Sequence, residues 1–400
     1  MASSNTLLTP TIIAKEALMQ LTNSMAMGRH VYTAYKNEFT KVGDTITVRK
    51  PNKFRSNKGQ ARSNVTIVEP STSIEMTTQA NVSWAFSSVD LTTTIEDYSK
   101  RYIAPAAAAL ANTVDADLCA LYKDVPNSVG TPGTTPNAFS MLGDAQQKLD
   151  EEAVPSEGRV AILNPAAHWS LADALKGTFA ARVADSIITK GYLGTIANLS
   201  LYMDQNVQRH TTGLVSGGTP LVTTTALTGA TSFVTKGWDG NNDTVTDGDV
   251  FTVGATNAVN PMSGASIGVL KQWAATADVS SSGGALTVAI APTCTYGATN
   301  AYSNIDALPL EDAGLTFIGT EGTAYPQNLV FHPNAFALVT VPIEMPANVW
   351  GARESDPEMG LSIRVVKQYD IDVDEEIIRL DILYGMKTLY PELACRLWGK

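Results

Sequence analysis

The sequence is short of charge: Asp, Glu, Lys and Arg make up 17% of its 400 residues, where an average soluble domain carries about 25%. Much of its surface must therefore be small, neutral Thr, Ser, Ala and Gly, which lose little on leaving water. That suits a chain that packs against copies of itself. Cysteine is scarce as well, and Cys119, Cys294 and Cys395 are odd in number and far apart. They exclude a disulfide framework and read as free thiols in a reducing compartment. The histidines His30, His168, His210 and His332 are scattered, with no His-x-x-x-His pair, so no zinc site is expected. Gly-x-x-x-x-Gly-Lys and Gly-x-Gly-x-x-Gly are both missing, which excludes the common phosphate-cradling loops. No catalytic residue, cofactor or metal is expected, and the chain reads as a non-enzyme. No window approaches twenty apolar residues, and Met1-Ala2-Ser3-Ser4-Asn5 opens no basic-then-apolar leader. Neither a membrane span nor a targeting segment is expected.

What charge there is lies unevenly. The total is −11, which argues against general nucleic-acid binding. Yet residues 29–62 hold nine basic residues against Glu38 and Asp44, a segment charge of +7 that leaves −18 for the remainder. Within it Thr45 to Arg49 alternates like a strand, residues 51–61 are polar and glycine-bearing, and Val65 to Val68 and Ile74 to Trp84 alternate again. This pattern predicts an extended hairpin with positive charge at its tip. Arg49, Lys50, Lys53, Arg55, Lys58 and Arg62 are its candidate contacts to a neighbouring copy. The complementary candidate is the run Asp370, Asp372, Asp374, Glu375 and Glu376 between strand candidates 361–369 and 377–389. Ile371 and Val373 alternate with the acids, so these are expected to line one strand face.

A stripe of Ile103, Ala107, Leu110, Val114, Leu118, Leu121 and Val125 predicts a long core helix within 95–125, with Pro105 as a kink or a first-turn residue. Shorter helices are predicted at 11–21, 137–152, 166–175 and 333–339, and strands at 158–163 and 328–331. From Gly213 to about Gly319 the composition turns to Thr, Ser, Gly, Ala and Val. Strand candidates 232–238, 249–253, 269–279 and 285–291 predict an inserted β-barrel or sandwich. Its acidic loop holds Asp239, Asp243 and Asp247, and the Asp spacing does not fit a twelve-residue Ca²⁺ loop.

The order of these parts, with certain fragments, carries a resemblance. The fragments are Ile103-Ala104-Pro105 to Ala111-Asn112, Ile162-Leu163-Asn164-Pro165, Gly248-Asp249-Val250-Phe251-Thr252 and Ala258-Val259-Asn260-Pro261. Asn328-Leu329-Val330-Phe331-His332, Arg379-Leu380-Asp381 and the run Pro391 to Gly399 complete the set. Together they resemble tailed-phage major capsid proteins of the HK97-like fold, specifically the coat-protein family of the short-tailed Salmonella phage (P-22 type). The resemblance implies an α+β fold with spine helix, peripheral and axial domains, extended loop and an inserted β-barrel domain. Its divisions would be a 1–30 arm, a 31–94 extended-loop hairpin, a 95–212 spine and core, a 213–319 barrel and a 320–400 return. It further implies pentamers and hexamers of an icosahedral shell around double-stranded DNA, with the barrel loop as a contact between copies, scaffolding protein and portal as partners and no membrane. Assembly would occur in the host cytoplasm and the product would be the virion. A non-viral compartment of the same fold and a β-rich adhesion module are the alternatives.

Overall fold

The computed structural model describes residues 10–37, 45–55, 60, 70–87, 99–175, 193–215, 218–240, 242–297, 300–347, 349–356 and 360–400. They fall into two compact units. The first comprises Met1–Val48, Ser71–Leu118 and Phe336–Lys387. Its sheet is built on the strand Glu375–Thr388, which pairs antiparallel with Ser362–Asp370 along one edge and Thr78–Ser87 along the other. Alternation selects the inner face of that strand: Ile378, Leu380, Ile382 and Tyr384 are all buried, as the two-residue period of a strand requires. The register sets Asp381 opposite both Asn81 and Arg364. Asp381 has no solvent exposure. Its carboxylate accepts from Arg364 Nη2 (2.6 Å), Arg379 Nε (2.7 Å) and Gln79 Nε2 (3.1 Å). A buried carboxylate is stable only with such a set of donors, and these donors come from three adjacent strands.

Helix α1, Pro10–Ser24, buries Ile13, Ala14, Ala17, Leu18 and Leu21 against Trp350–Ser355 and Ser362–Asp370. Helix α2, Ala104–Ala120, follows a single π-helical turn at Ser99–Ile103. Pro105 sits in its first turn, where a missing N–H costs nothing. The stripe Ile103, Ala107, Leu110, Val114 and Leu118 is buried as expected. The α-helix ends at Ala120, however, and a 3₁₀ turn at Leu121–Asp124 buries Tyr122 in place of Leu121. On another face of α2, Asp115 accepts the N–H groups of Ala26 (2.5 Å) and Gly28 (2.9 Å), and Asp117 accepts the Tyr384 hydroxyl.

The second unit comprises Arg49–Pro70, Cys119–Ala335 and Thr388–Lys400. Its mixed sheet runs Ser128–Val129, Ala394–Leu397, Asn328–Phe331, Val160–Leu163, Leu199–Met203, Thr195–Ile196. Helices α3, Phe139–Glu151, and α4, Pro165–Leu175, pack Met141, Leu142, Leu149, Leu171 and Leu175 onto Ala161, Leu163, Val330 and Leu397. A second, antiparallel sheet runs Leu315–Phe317, Val250–Val259, Ser266–Ala275, Ala285–Cys294, Ala230–Lys236, Leu221–Val222. Its first and last strands meet: the Leu315 N–H donates to Pro220 O and the Val222 N–H to Ala313 O, both at 2.9 Å. The sheet thus curls into a nearly closed barrel, which removes most exposed edge. Trp273 fills it, with ring centroids 5.4 Å from Phe233 and 6.4 Å from Phe251. The fold is α+β with a barrel sheet, as the sequence led us to expect.

Residues 333–339 depart from expectation. They form a 3₁₀ turn, Pro333–Ala335, and then the fully buried strand Phe336–Thr340; a short apolar run shows no period that separates helix from strand. The expected strand at Val65 to Val68 and the helical residues 95–98 lie outside the described residues. Replacing Asp381 with Ala leaves two arginines converging on an empty site. We expect a loss of about 3 kcal/mol in urea unfolding of the unassembled subunit; a change below about 0.5 kcal/mol would contradict the assignment.

Candidate assembly surfaces

The basic segment enters as the strand Thr45–Arg49, paired with Ser71–Glu75, and the Lys50 N–H donates to Pro70 O at 2.8 Å. Arg49 is exposed at the strand end. Lys50 is half-buried with its ammonium 4.9 Å from the Tyr390 ring centroid. Burial pushes its pKa down, aided by Lys53 and opposed by Glu392. Lys53 Nζ lies 4.0 Å from Glu392 Oε1, and its N–H donates to Tyr302 Oη at 3.2 Å. Arg55 Nη2 donates to Ser303 O at 3.4 Å. Lys50, Lys53 and Arg55, expected as contacts to a neighbouring copy, are each engaged by their own chain within the subunit. Within the subunit the carboxylate facing Lys53 is Glu392. Residues 50–55 have no regular structure and settle on the nearest aromatic and acidic groups. Lys58 and Arg62 lie outside the described residues.

The barrel loop divides three ways. Asp239 is exposed. Asp243, also expected as a contact, is fully buried in the subunit, with Oδ2 accepting the Asp239 N–H at 2.7 Å, so it shapes the loop from inside. Asp247 pairs with Lys123 at 3.1 Å.

The neighbouring Asp249 begins a polar network at the root of the barrel. Its Oδ1 is 2.8 Å from His210 Nε2, and its Oδ2 accepts the N–H groups of Gly213 (3.0 Å) and Thr246 (2.8 Å). His210 Nδ1 is 3.1 Å from the Tyr122 hydroxyl. Over the Tyr122 ring, 5.2 Å from its centroid, lies the guanidinium of Arg396, which is 1% exposed. It donates to Gly248 O (2.7 Å), Val125 O (2.9 Å) and Lys123 O (3.3 Å). Burial lowers its pKa to about 10. Two further pins follow. Gln272 exchanges hydrogen bonds with the Ser128 backbone at 2.8 and 3.1 Å. Lys271 Nζ lies 2.9 Å from Glu152 Oε1, with both side chains buried. Sequence reasoning passed over these residues. A signal existed, because Lys271 and Arg396 each interrupt an apolar strand, the mark of a buried and partnered charge.

The acids at 370–376 do not line a strand face. Residues 371–374 are the turn joining Ser362–Asp370 to Glu375–Thr388, and Asp370 pairs across it with Glu375. The Asp372 N–H donates to Asp370 Oδ1 (3.0 Å), and the Tyr369 hydroxyl to Asp374 Oδ1 (2.7 Å). Glu376 is bridged to Lys367 at 2.5 Å. The turn forces both residue types outward, so Ile371 is 81% and Val373 59% exposed beside Asp372 and Asp374. The tip is thus apolar and acidic at once. Among the described residues no His/Cys/Asp/Glu group could hold a metal. A Gly-x-Ser-x-Gly pattern does occur at Gly264 to Gly268, but Ser266 starts a strand and donates to Asp306 at 2.7 Å, unlike the strand–turn–helix nucleophile elbow.

A long helix, a hairpin-bearing sheet and a barrel pinned into a mixed-sheet core are the parts expected of an HK97-like capsid subunit. The chain belongs to the P22 coat protein family, whose sequence profile, described as "P22 coat protein - gene protein 5", matches residues 1–399. Its function is that of a tailed-phage major capsid protein, a subunit of a multimeric icosahedral shell and so a virion component. Solved structures similar to it include that titled Mycobacterium phage Che8, at 13% identity and TM-score 0.49, covering 93% of this chain and 90% of that one. The capsid of Ralstonia phage GP4 matches at 11% identity and TM-score 0.42, over 90% of this chain and 85% of that one. The CUS-3 coat protein I-domain matches at 20% identity and TM-score 0.20, over 26% of this chain and 98% of its own. No curated protein matches the chain.

The Glu152–Lys271 pin carries a pH signature. Burial alone would raise the Glu152 carboxyl, but the Lys271 charge and hydrogen bond, with Lys148 and Lys53, hold it below its ordinary 4.5. A depressed carboxyl stabilises the fold above its unfolded pKa, and that contribution fades as pH falls through the folded value. Glu152→Gln should therefore cost about 3 kcal/mol near neutrality. The gap from wild type should close as melting is followed down from pH 4.5; a pH-independent gap would refute the pairing.

Proposed function

We propose that copies of this subunit close into pentamers and hexamers of the shell through the tip at 371–374, the exposed barrel loop at Asp239 and the outer part of the basic segment, Lys58 and Arg62 included. The shell encloses double-stranded DNA, with a scaffolding protein and a portal as partners during assembly in the host cytoplasm. No catalysis and no membrane are involved. The DNA is confined, not read, since a chain of net charge −11 has no general attraction for a polyanion. In this reading residues 1–30 are the arm, 31–94 the extended-loop hairpin, 95–212 the spine and core, 213–319 the inserted barrel and 320–400 the return to the host domains.

The observation that carries the proposal is the hairpin tip. Ile371 and Val373 are exposed on a turn whose remaining residues are acidic, a combination that marks a surface awaiting a partner. The apolar pair supplies burial and the carboxylates supply register against a basic partner. Exposed ion pairs contribute about 0.2–1 kcal/mol each, so closure needs many such contacts and interfaces on the order of 2,000 Å². Electron microscopy of the purified protein should show icosahedral shells. In the Ile371→Ser, Val373→Ser variant, shells should be lost while the unassembled subunit melts within about 2 °C of wild type. Normal shells from that variant would overturn the proposal.

A further inference from the structure

The stem of the basic segment cannot set its own direction. Beyond Arg49 the residues Pro51, Asn52 and Lys53 belong to no helix or strand, so no backbone ladder orients them. What orients them is the barrel. Stem and barrel border a cavity of about 330 Å³ whose lining includes Asn52, Lys53, Tyr302 and Ser303. One hydroxyl meets two stem residues at once: Tyr302 Oη accepts the Lys53 N–H at 3.2 Å and donates to Asn52 Oδ1 at 3.4 Å. Tyr302 is itself fixed, since its N–H donates to Asn300 Oδ1 at 2.9 Å. Beside it the Arg55 guanidinium reaches Ser303 O and lies across Gly264, where any Cβ would collide with it. On the stem's other flank Lys50 stacks on Tyr390 and Lys53 faces Glu392.

We propose that the inserted barrel is the platform that aims the basic arm, with Tyr302 as the positioning residue. Ordering a loose segment at the moment of association weakens association; a stem already held by the barrel meets that cost during folding instead. The barrel thereby affects shell closure without itself having to touch the neighbour that the arm reaches. This use of Tyr302 rests on the reading of the outer basic segment as an intersubunit contact.

The test uses the full chain and two variants chosen to fold. Tyr302→Phe keeps the ring and removes both hydrogen bonds; Asn52→Ala removes only the acceptor. Hydrogen exchange on unassembled subunits should show the Lys53 amide, and its neighbours over 50–55, exchanging about five- to tenfold faster in Tyr302→Phe. Protection of the barrel strands Val250–Val259 and Ala285–Cys294 should be unchanged, and Asn52→Ala should give a smaller effect of the same sign. Shells from Tyr302→Phe should form more slowly and include open or misclosed particles. Unchanged exchange over 50–55 would overturn the proposal, as would faster exchange with shells closing at the wild-type rate and form. Should the wild type itself form no shells, the reading of the arm fails separately, because the exchange measurement reports on the stem alone.

Discussion

A guanidinium shut away from water holds the second unit in its arrangement. Arg396 donates to the carbonyls of Lys123 and Val125, at the frayed end of the long helix, and to that of Gly248, at the mouth of the barrel. Carbonyls at a helix end have no partners within the helix, and a cation there also answers the helix dipole. One side chain therefore satisfies the helix terminus and ties the barrel to it. Gly248 fits this place because its φ of +98° is open to glycine and a Cβ would press on Lys123.

The hydrophobic bookkeeping shows why such a pin is needed. The barrel core around Trp273 and the core beneath α3 and α4 are separate clusters that share no residue. Apolar burial stabilises each but does little to orient one on the other, because it is non-directional. Direction comes from the polar contacts Arg396–Gly248, Asp249–His210–Tyr122, Gln272–Ser128 and Lys271–Glu152. Buried polar groups demand defined geometry, since a missed partner is costly. These contacts therefore fix how the barrel sits on the mixed-sheet core.

Much of this was legible in the sequence, and the limits have physical causes. The α2 stripe and the barrel's longer strands announced themselves by period, and the strand Asn328–Phe331 by its short apolar run. The barrel's closing strands, Leu221–Val222 and Leu315–Phe317, are too short to show one. Phe336–Thr340 is buried on both faces, so its apolar run looked helical. The acidic run was noticed, but alternation suggested a strand where a four-residue turn forms, and the turn exposes the acids and the apolar pair together. Charge counting singled out the basic segment. It could not reveal that Lys50, Lys53 and Arg55 rest on their own chain, because Tyr302, Tyr390 and Glu392 are distant in sequence. The polar root of the barrel was hidden for the same reason, as its members come from widely separated stretches of chain.

The central claim is that directional polar pins, led by Arg396, couple two independent hydrophobic cores. Calorimetry of the unassembled Arg396→Met subunit tests it most directly. The account predicts that the barrel keeps its own transition while the α3–α4 core melts separately and earlier, so that cooperativity within the second unit is split. A single transition at the wild-type temperature would contradict it.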